Sequence, residues 1–185
     1  MEASYRDRFF DARDGLHLYA RDYEGSSATA PAVLCLPGLT RNSADFADLA
    51  SNIAPRFRVL AADLRGRGRS ERDPDWRHYQ VPVYVDDVLR LLEQLHVPGV
   101  AVIGTSLGGL LAMMLGAAHP ARIAGIVLND IGPEIDPRGA ARIREYAGRL
   151  PSVRSWAQAV EQLREVYGSA WPGLSPERWD VLARR

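Results

Sequence analysis

One serine in this sequence has neighbours of the types that acyl-transfer chemistry requires. The segment Gly104-Thr105-Ser106-Leu107-Gly108 fits the pattern G-x-S-x-G, and the apolar segment 100–103 directly precedes it. A strand that turns sharply into a helix exposes a serine hydroxyl at the turn, and small residues two positions away on either side leave room for it. The helix N-terminus then offers free backbone N–H groups to an oxyanion. The pattern predicts that Ser106 is a nucleophile.

This glycine-rich segment has two alternative interpretations. The first is a tight turn between a strand and a helix that holds an incidental serine, and the sequence alone leaves it open. The second is a nucleotide-binding turn, which needs G-x-G-x-x-G or a Walker lysine, and the segment has neither. The nucleophile interpretation is preferred because the motif joins an apolar strand directly to a helix.

A serine nucleophile also needs a general base, usually histidine, and an acid that orients the base. Asp130 follows the apolar segment 123–128, which we expect to form the strand beside segment 100–103. Because adjacent strands lie about 4.8 Å apart, Asp130 is a candidate triad acid at the same edge of the sheet as Ser106. A turn-forming role in Asn129-Asp130-Ile131-Gly132-Pro133 explains this aspartate equally well.

The segments around these residues alternate between strand and helix patterns. A hairpin is expected within 9–23, around the turn Arg13-Asp14-Gly15. Further strands are predicted at 32–36, 58–62, 100–103 and 123–128, and helices at 44–53, 82–96 and 107–119. This order predicts an α/β fold with a mostly parallel, doubly wound sheet.

The pattern changes at about residue 137. Beyond it no strand is evident, and helices are predicted at 140–150, 153–167 and 176–185. The chain is therefore divided into a core of residues 1–136 and a helical region of residues 137–185.

Three segments together resemble the α/β-hydrolase family. Besides the serine motif, Leu36-Pro37-Gly38-Leu39-Thr40 resembles the family's His-Gly turn after the third strand, with Pro37 in place of the common histidine. The stretch 63–70, DLRGRGRS, resembles the family's D-x-R-G-x-G-x-S loop after the fourth strand. Order and spacing match over residues 5–135. The resemblance implies the N-terminal part of an α/β-hydrolase core and the start of a helical cap, with the seventh and eighth strands absent from this chain.

The resemblance also implies roles for backbone groups. The oxyanion hole would use the backbone N–H groups of Leu39 and Leu107. Pro37 has no N–H to donate, which agrees with a donor later in the turn. Some esterases in this family carry the triad acid after the sixth strand, where Asp130 lies.

The catalytic histidine is expected outside this chain. The family places it after the last strand, and none of the four histidines, His17, His78, His96 and His119, matches that position. A surface or helix-end role is favoured for each of them. The chain is then a fragment of a longer hydrolase, is completed by a second chain, or is a degenerate binding protein; the first two are preferred. A C-terminal remainder of the same protein is the expected partner, supplying the histidine and the last strands.

The composition excludes several classes of protein. Lys plus Arg and Asp plus Glu number 23 each, so the net charge is zero, whereas a nucleic-acid-binding protein would usually carry a basic surplus. No apolar run reaches the about 18 residues of a membrane span, and the first eight residues are too charged for a signal peptide. We expect no nucleic-acid partner, no membrane and a cytoplasmic location.

The remaining sequence features suggest no cofactor. Cys35 is the only cysteine, which rules out an intrachain disulfide, and it is expected to be a small buried hydrophobe. Neither H-E-x-x-H nor C-x-x-C is present, so no metal and no cofactor are predicted. The arginine run of Arg65, Arg67, Arg69 and Arg72 is interpreted as a solvated loop.

The sequence therefore predicts a serine hydrolase that cleaves an ester or related acyl bond of a small molecule. A serine in the G-x-S-x-G motif argues against dehalogenase or epoxide-hydrolase chemistry, which uses a carboxylate nucleophile on a similar fold. The alternatives are a serine-dependent C–C bond hydrolase, a haloperoxidase-like enzyme, or a non-catalytic binding protein. Trp156, Trp171 and Trp179 are expected either to line the acyl pocket or to pack the cap.

Overall fold

A six-stranded sheet forms the centre of the first unit of this protein. The structure is a computed structural model that describes residues 3–27 and 29–185. The chain forms two compact units, and the boundary between them lies between Pro133 and Glu134. The strands are β1 (Arg6–Asp11), β2 (His17–Tyr23), β3 (Ala32–Leu36), β4 (Arg58–Asp63), β5 (Val100–Thr105) and β6 (Ile123–Asn129). Their order across the sheet is β1-β2-β4-β3-β5-β6. Strands β3, β4, β5 and β6 run parallel to one another, and β2 runs antiparallel to its neighbours β1 and β4, so the predicted mostly parallel sheet is confirmed.

Helices cover both faces of this sheet. They are α1 (Ala47–Ile53), α2 (Val81–Gln94) and α3 (Leu107–Ala118). Leu34 and Leu36 pack in one core cluster with apolar residues of α2 and α3, whereas Val33 and Cys35 pack in a second cluster with residues of α1. Successive residues of β3 thus face opposite helical layers, as expected when both faces of a strand are buried.

The element ends differ from the prediction by a few residues. The predicted helix 44–53 begins with a 3-10 turn, Ser43–Phe46, which Asn42 caps by accepting a hydrogen bond from the Ala44 N–H. The largest difference is at α4 (Pro137–Tyr146), which begins three residues before the start, and ends four residues before the end, of the predicted helix 140–150. The Asp136 carboxylate caps it by accepting from the Arg138 N–H, and Pro137 suits the first helical turn.

The second unit contains α4, α5 (Trp156–Tyr167) and α6 (Pro176–Arg184). An aromatic chain connects them: the ring centroids of Tyr146 and Tyr167 lie 6.0 Å apart, those of Tyr167 and Trp171 5.3 Å, and those of Trp171 and Trp179 6.1 Å. Trp156 is 53% exposed, with the Arg184 guanidinium over its ring. Trp171 and Trp179 thus contribute to packing within this unit, and the cap role of residues 137–185 stays a prediction.

No helix in the described ranges 3–27 and 29–185 is long and apolar enough to span a bilayer.

β6 is the outermost strand on one side of the sheet. Among the described residues it pairs only with β5. Four consecutive residues of β6 are exposed, and Val127, one of them, is 57% exposed. Beside it runs a shallow apolar groove lined by Met113, Gly116, Pro120, Ile123, Gly125 and Ile126. An apolar, unpaired edge of this kind promotes association with other chains.

We expect residues 1–185 expressed alone to be poorly soluble, and Val127→Lys to raise their soluble fraction, because an edge lysine opposes strand pairing. In the longer protein, where we expect further polypeptide to pack against β6, the same substitution should lower the melting temperature. Val181→Lys, at an exposed position of the second unit, is the matched control. Sedimentation measures the soluble fraction and thermal unfolding measures the melting temperature, for both lengths of the protein. The prediction would be wrong if Val127→Lys had the same effect at both lengths.

Candidate active site

Ser106 lies at the junction between β5 and α3, in a backbone conformation that few residues adopt. Its φ is 50° and its ψ is −112°. A non-glycine residue in such a region costs on the order of 1–3 kcal/mol and persists only where the surroundings enforce it. Here the Ser106 N–H donates to the Asn129 carbonyl at 3.0 Å, and its own carbonyl accepts from the N–H groups of Gly109 at 2.9 Å and Leu110 at 3.2 Å. The turn is thus fastened to the end of β6 and to the first turn of α3.

The glycines of the motif are required by close backbone contacts. A Cβ on Gly104 would meet backbone atoms of both Gly108 and Gly109, the amide nitrogen of Gly109 at 2.6 Å. A Cβ on Gly108 would meet the backbone of Leu36 at the end of β3, its carbonyl carbon at 2.5 Å. The tight strand-to-helix turn expected from the sequence is therefore present, and it packs directly against the neighbouring strand.

Two backbone segments with hydrogen-bond donors flank this turn. Leu107 is the first residue of α3, where helix geometry leaves N–H groups without an intrahelical acceptor. On the other side, a Cβ on Gly38 would lie 3.8 Å from the Ser106 Cβ. Gly38 opens a β-turn in which the Arg41 N–H donates to the Gly38 carbonyl at 3.1 Å, and Leu39 is its first central residue. The structure thus brings the turn that contains Leu39 beside Ser106 and Leu107.

Asp130 is the first residue after β6 and has a positive φ of 55°. Its predecessor Asn129 holds the Ser106 turn twice, through the backbone bond above and through its side-chain amide, which donates to the Thr105 hydroxyl at 3.2 Å. The Asp130 side chain is exposed, and within the described residues its carboxylate makes no hydrogen bond. Aspartate tolerates left-handed backbone, so both the triad-acid prediction and the turn interpretation stay open.

None of the four histidines forms a pair with Ser106. His96 and His119 precede β5 and β6, at the opposite edge of the sheet from Ser106. His17 lies on β2, three strand spacings or about 14 Å from β5, and its Nδ1 lies 2.6 Å from the Asp11 carboxylate. His78 Nδ1 lies 2.7 Å from the Asp73 carboxylate in the segment between β4 and α2.

The interpretation of the arginine run as a solvated loop is wrong for Arg65. Its side chain is 1% exposed and donates to Asp87 through two hydrogen bonds, at 2.8 and 2.6 Å, to Asp14 at 2.8 Å and to Asp73 at 2.6 Å. Burial raises the pKa of the Asp87 carboxyl, and the guanidinium opposes that rise. A buried arginine of this kind is retained only when carboxylates surround it, and those carboxylates come from distant parts of the sequence.

The other arginines of the run differ among themselves. Arg69 is exposed and pairs with Asp7 at 2.6 Å, and Arg72 is exposed, so the interpretation holds for their solvent exposure. Arg67 is half-buried, and its Nε–H donates to the Leu39 carbonyl at 2.9 Å. The sequence could have signalled these roles only through the regular D-x-R-G-x-G-x-S spacing.

The first and last residues of that pattern hold the loop in place. The Asp63 carboxylate accepts from the N–H groups of Ser43 at 2.7 Å and Arg69 at 2.8 Å. The Ser70 hydroxyl donates to the Asp63 carbonyl at 2.8 Å and accepts from the Tyr19 N–H at 2.9 Å. Both residues are buried and satisfy backbone groups, so their role is structural.

One group of metal-ligand residue types is present in the part of the chain that the structure describes. Oxygen and nitrogen atoms of Asp14, Asp73 and His78 lie within 4.8 Å of one another. Arg65 already donates to both carboxylates, so a cation would have to displace or oppose that guanidinium. We therefore assign the group to the ion-pair network around Arg65.

Comparisons with known proteins agree on one family. A family model described as alpha/beta hydrolase fold matches residues 31–173. The 3-hydroxybutyrate-oligomer hydrolase of Cupriavidus necator is 35% identical over 168 residues, which are 91% of this chain and 57% of that protein. A serine hydrolase-like protein of Danio rerio is 39% identical over 163 residues, 83% of this chain and 50% of that protein.

A solved structure is also similar. The crystal structure of an alpha/beta hydrolase from Novosphingobium aromaticivorans matches with a TM-score of 0.93 and 46% identity, over 100% of this chain and 64% of that one. The chain thus spans between 50% and 64% of the length of these three proteins.

We expect Gly108→Ala to destabilise the protein by roughly 1–3 kcal/mol, because the added methyl group overlaps the Leu36 backbone, which cannot yield as a side chain would. Gly139→Ala, in α4 with nothing within 4 Å of the added Cβ, is the matched control and should be neutral or stabilising. Urea-unfolding midpoints of the longer protein measure both. Equal midpoints for the two variants would mean that the junction is not closely packed.

Proposed function

Because the chain belongs to the alpha/beta hydrolase family, we propose that it carries the nucleophile and the oxyanion hole of a serine hydrolase that cleaves an ester or related acyl bond of a small molecule. The observation that carries the proposal is the strained Ser106 between β5 and α3, held beside the turn of Gly38 and Leu39. Strained backbone of this kind clusters at active sites, and Gly104 and Gly108 allow the close packing that enforces it here.

The proposed chemistry has two steps. The Ser106 hydroxyl attacks the acyl carbon while a general base takes its proton; the acyl carbon becomes tetrahedral and its oxygen becomes an oxyanion. The backbone N–H groups of Leu39 and Leu107 stabilise that charge. The intermediate collapses, the alcohol leaves with the proton from the base, and an acyl-enzyme remains on Ser106. Water, deprotonated by the same base, then releases the acid and restores the serine.

The base is proposed to come from polypeptide beyond residue 185. The four histidines of this chain lie elsewhere, β6 leaves one edge of the sheet unpaired among the described residues, and the relatives are considerably longer. Asp130, at the end of β6, is proposed to orient that base. The remainder of the protein would thus complete both the sheet and the catalytic group.

The substrate class is proposed from the chemistry of the nucleophile and from one relative. A serine nucleophile suits acyl transfer, and the Cupriavidus necator relative is named for hydrolysis of 3-hydroxybutyrate oligomers. Short oligomers of a hydroxy acid, joined by ester bonds, are therefore the first natural substrates to test. Trapping of Ser106 by a fluorophosphonate probe separates a hydrolase from a non-catalytic binding protein, because the reaction needs an activated serine. Turnover of a C–C substrate in preference to esters would favour the alternative hydrolase chemistry.

We expect Ser106→Ala to abolish turnover of a short p-nitrophenyl ester by the longer protein. Loss of a triad nucleophile costs on the order of a millionfold in kcat. Ser26→Ala, in the exposed loop before β3, is the matched control and should keep full activity. Initial rates and fluorophosphonate labelling of both variants provide the measurement, and retention of most activity in a folded Ser106→Ala protein would refute the assignment.

Two substitutions at Asp130 separate the acid from the turn residue. Both asparagine and glycine tolerate left-handed backbone, so the turn should form in Asp130→Asn and in Asp130→Gly. If Asp130 orients the base, kcat should fall by up to about 10⁴ in Asp130→Asn and also fall strongly in Asp130→Gly. Near-wild-type kcat in both variants would mean that Asp130 is only a turn residue and that another residue is the acid. Thermal unfolding checks that each variant remains folded.

A further inference from the structure

Arg67 connects the loop after β4 with the turn that contains Leu39. Its Nε–H donates to the Leu39 carbonyl at 2.9 Å, and its Nη1 donates to the Arg65 carbonyl and to the Tyr84 hydroxyl, both at 2.8 Å. The side chain thus spans three segments of the chain. None of these bonds was expected from the sequence, in which Arg67 was one residue of a solvated arginine run.

The arginine is itself held firmly. Tyr84, on α2, is 2% exposed. The Arg67 guanidinium lies over two tyrosine rings, 5.4 Å from the centroid of Tyr84 and 5.6 Å from that of Tyr79. Gly66 makes room for this arrangement, since a Cβ there would lie 2.7 Å from a ring carbon of Tyr79. A planar guanidinium that is hydrogen-bonded and packed beside aromatic rings loses little further freedom when it binds one more acceptor.

The hydrogen bond from Arg67 to the Leu39 carbonyl restrains the turn because this carbonyl belongs to the turn's central peptide. In a four-residue turn, the central peptide takes opposite orientations in types I and II. In the turn from Gly38 to Arg41 that peptide joins Leu39 to Thr40, and its carbonyl is the one that Arg67 binds. The preceding peptide is fixed by the bond from the Arg41 N–H to the Gly38 carbonyl. Both peptide planes beside Leu39 are therefore restrained, and with them the direction of its N–H.

We propose that Arg67 is a positioning residue that holds the Leu39 turn in the orientation that stabilises the oxyanion, an inference that rests on the proposed function of Ser106. Arg67 binds the carbonyl of the turn's central peptide and touches no reacting atom. A donor whose direction is set in advance stabilises the transition state without reorganisation during the reaction. Loosening the turn should therefore weaken binding of the transition state more than binding of the substrate.

The test uses the longer, active protein and three variants. Arg67→Met keeps an apolar stem and removes all three hydrogen bonds, and Tyr84→Phe removes one of them while keeping the ring. Arg69→Met changes the same residue type two positions away, where the side chain contacts Asp7 and the rings of Phe9 and Tyr19, and is the matched control. Removing an oxyanion donor costs about 10²–10³ in kcat, so we expect a fall of about 10- to 100-fold for Arg67→Met. The fall should be smaller for Tyr84→Phe, with KM nearly unchanged in both.

A transition-state analogue provides a readout that a purely structural role would not move. Across the variants, the inhibition constant of a trifluoromethyl ketone, which forms a tetrahedral adduct with the serine, should rise by the factor by which kcat/KM falls. Arg69→Met should leave both values unchanged. If Arg67→Met proves unstable, Tyr84→Phe carries the test alone.

The outcomes separate this inference from the proposed function. Ser106-dependent turnover that Arg67→Met and Tyr84→Phe leave intact would overturn the role of Arg67 and spare the proposed function, as would equal losses in Arg67→Met and Arg69→Met. A wild-type protein without Ser106-dependent turnover would overturn both. A loss of kcat and of analogue affinity confined to Arg67→Met and Tyr84→Phe supports the inference.

Discussion

The site depends on a close backbone contact in the first unit, where the turn around Ser106 packs against the end of β3. Only hydrogen atoms fit at Gly104 and Gly108, because any Cβ would overlap the main chain of the turn or of Leu36. This contact brings the N-terminus of α3 beside the turn that follows β3, and it places Ser106 between the two sets of backbone donors. The strained conformation of Ser106 is maintained by this packing and by the bond to Asn129, since rigid cores deform little.

The loop after β4 connects the Leu39 turn to parts of the first unit that lie farther from Ser106. Asp63 and Ser70 close the loop on itself and on β2, and the buried Arg65 joins it to α2. Arg67 then reaches from this framework to the Leu39 turn. Polar groups buried in this way are costly unless every one is satisfied, so the network favours a single geometry. A loop that looks like a basic surface segment is thus hydrogen-bonded to the turn that contains Leu39.

The two sides of the sheet differ in how they end. On one side the outer strand is β1, which forms a hairpin with β2. On the other side the outer strand is β6, which is apolar, partly exposed and directly followed by Asp130. Between a third and a half of each relative's own length lies outside the matched part. A nucleophile in this chain and a base in the remaining polypeptide would make activity depend on completion of the sheet, since the strand contacts and the proton transfer need the same partner.

The sequence alone determined the order of strands and helices, the type of fold and the junction at Ser106. These features depend on short-range patterns: apolar runs, glycine spacing and turn residues act within a few positions along the chain. It did not reveal the roles of Arg65 and Arg67. Arg65 meets Asp14, Asp73 and Asp87, which lie 51, 8 and 22 positions away, and Arg67 meets Leu39 across 28 positions. Whether an arginine is solvated or buried depends on which distant carboxylates and carbonyls the folded chain brings to it, and only the tertiary structure decided that.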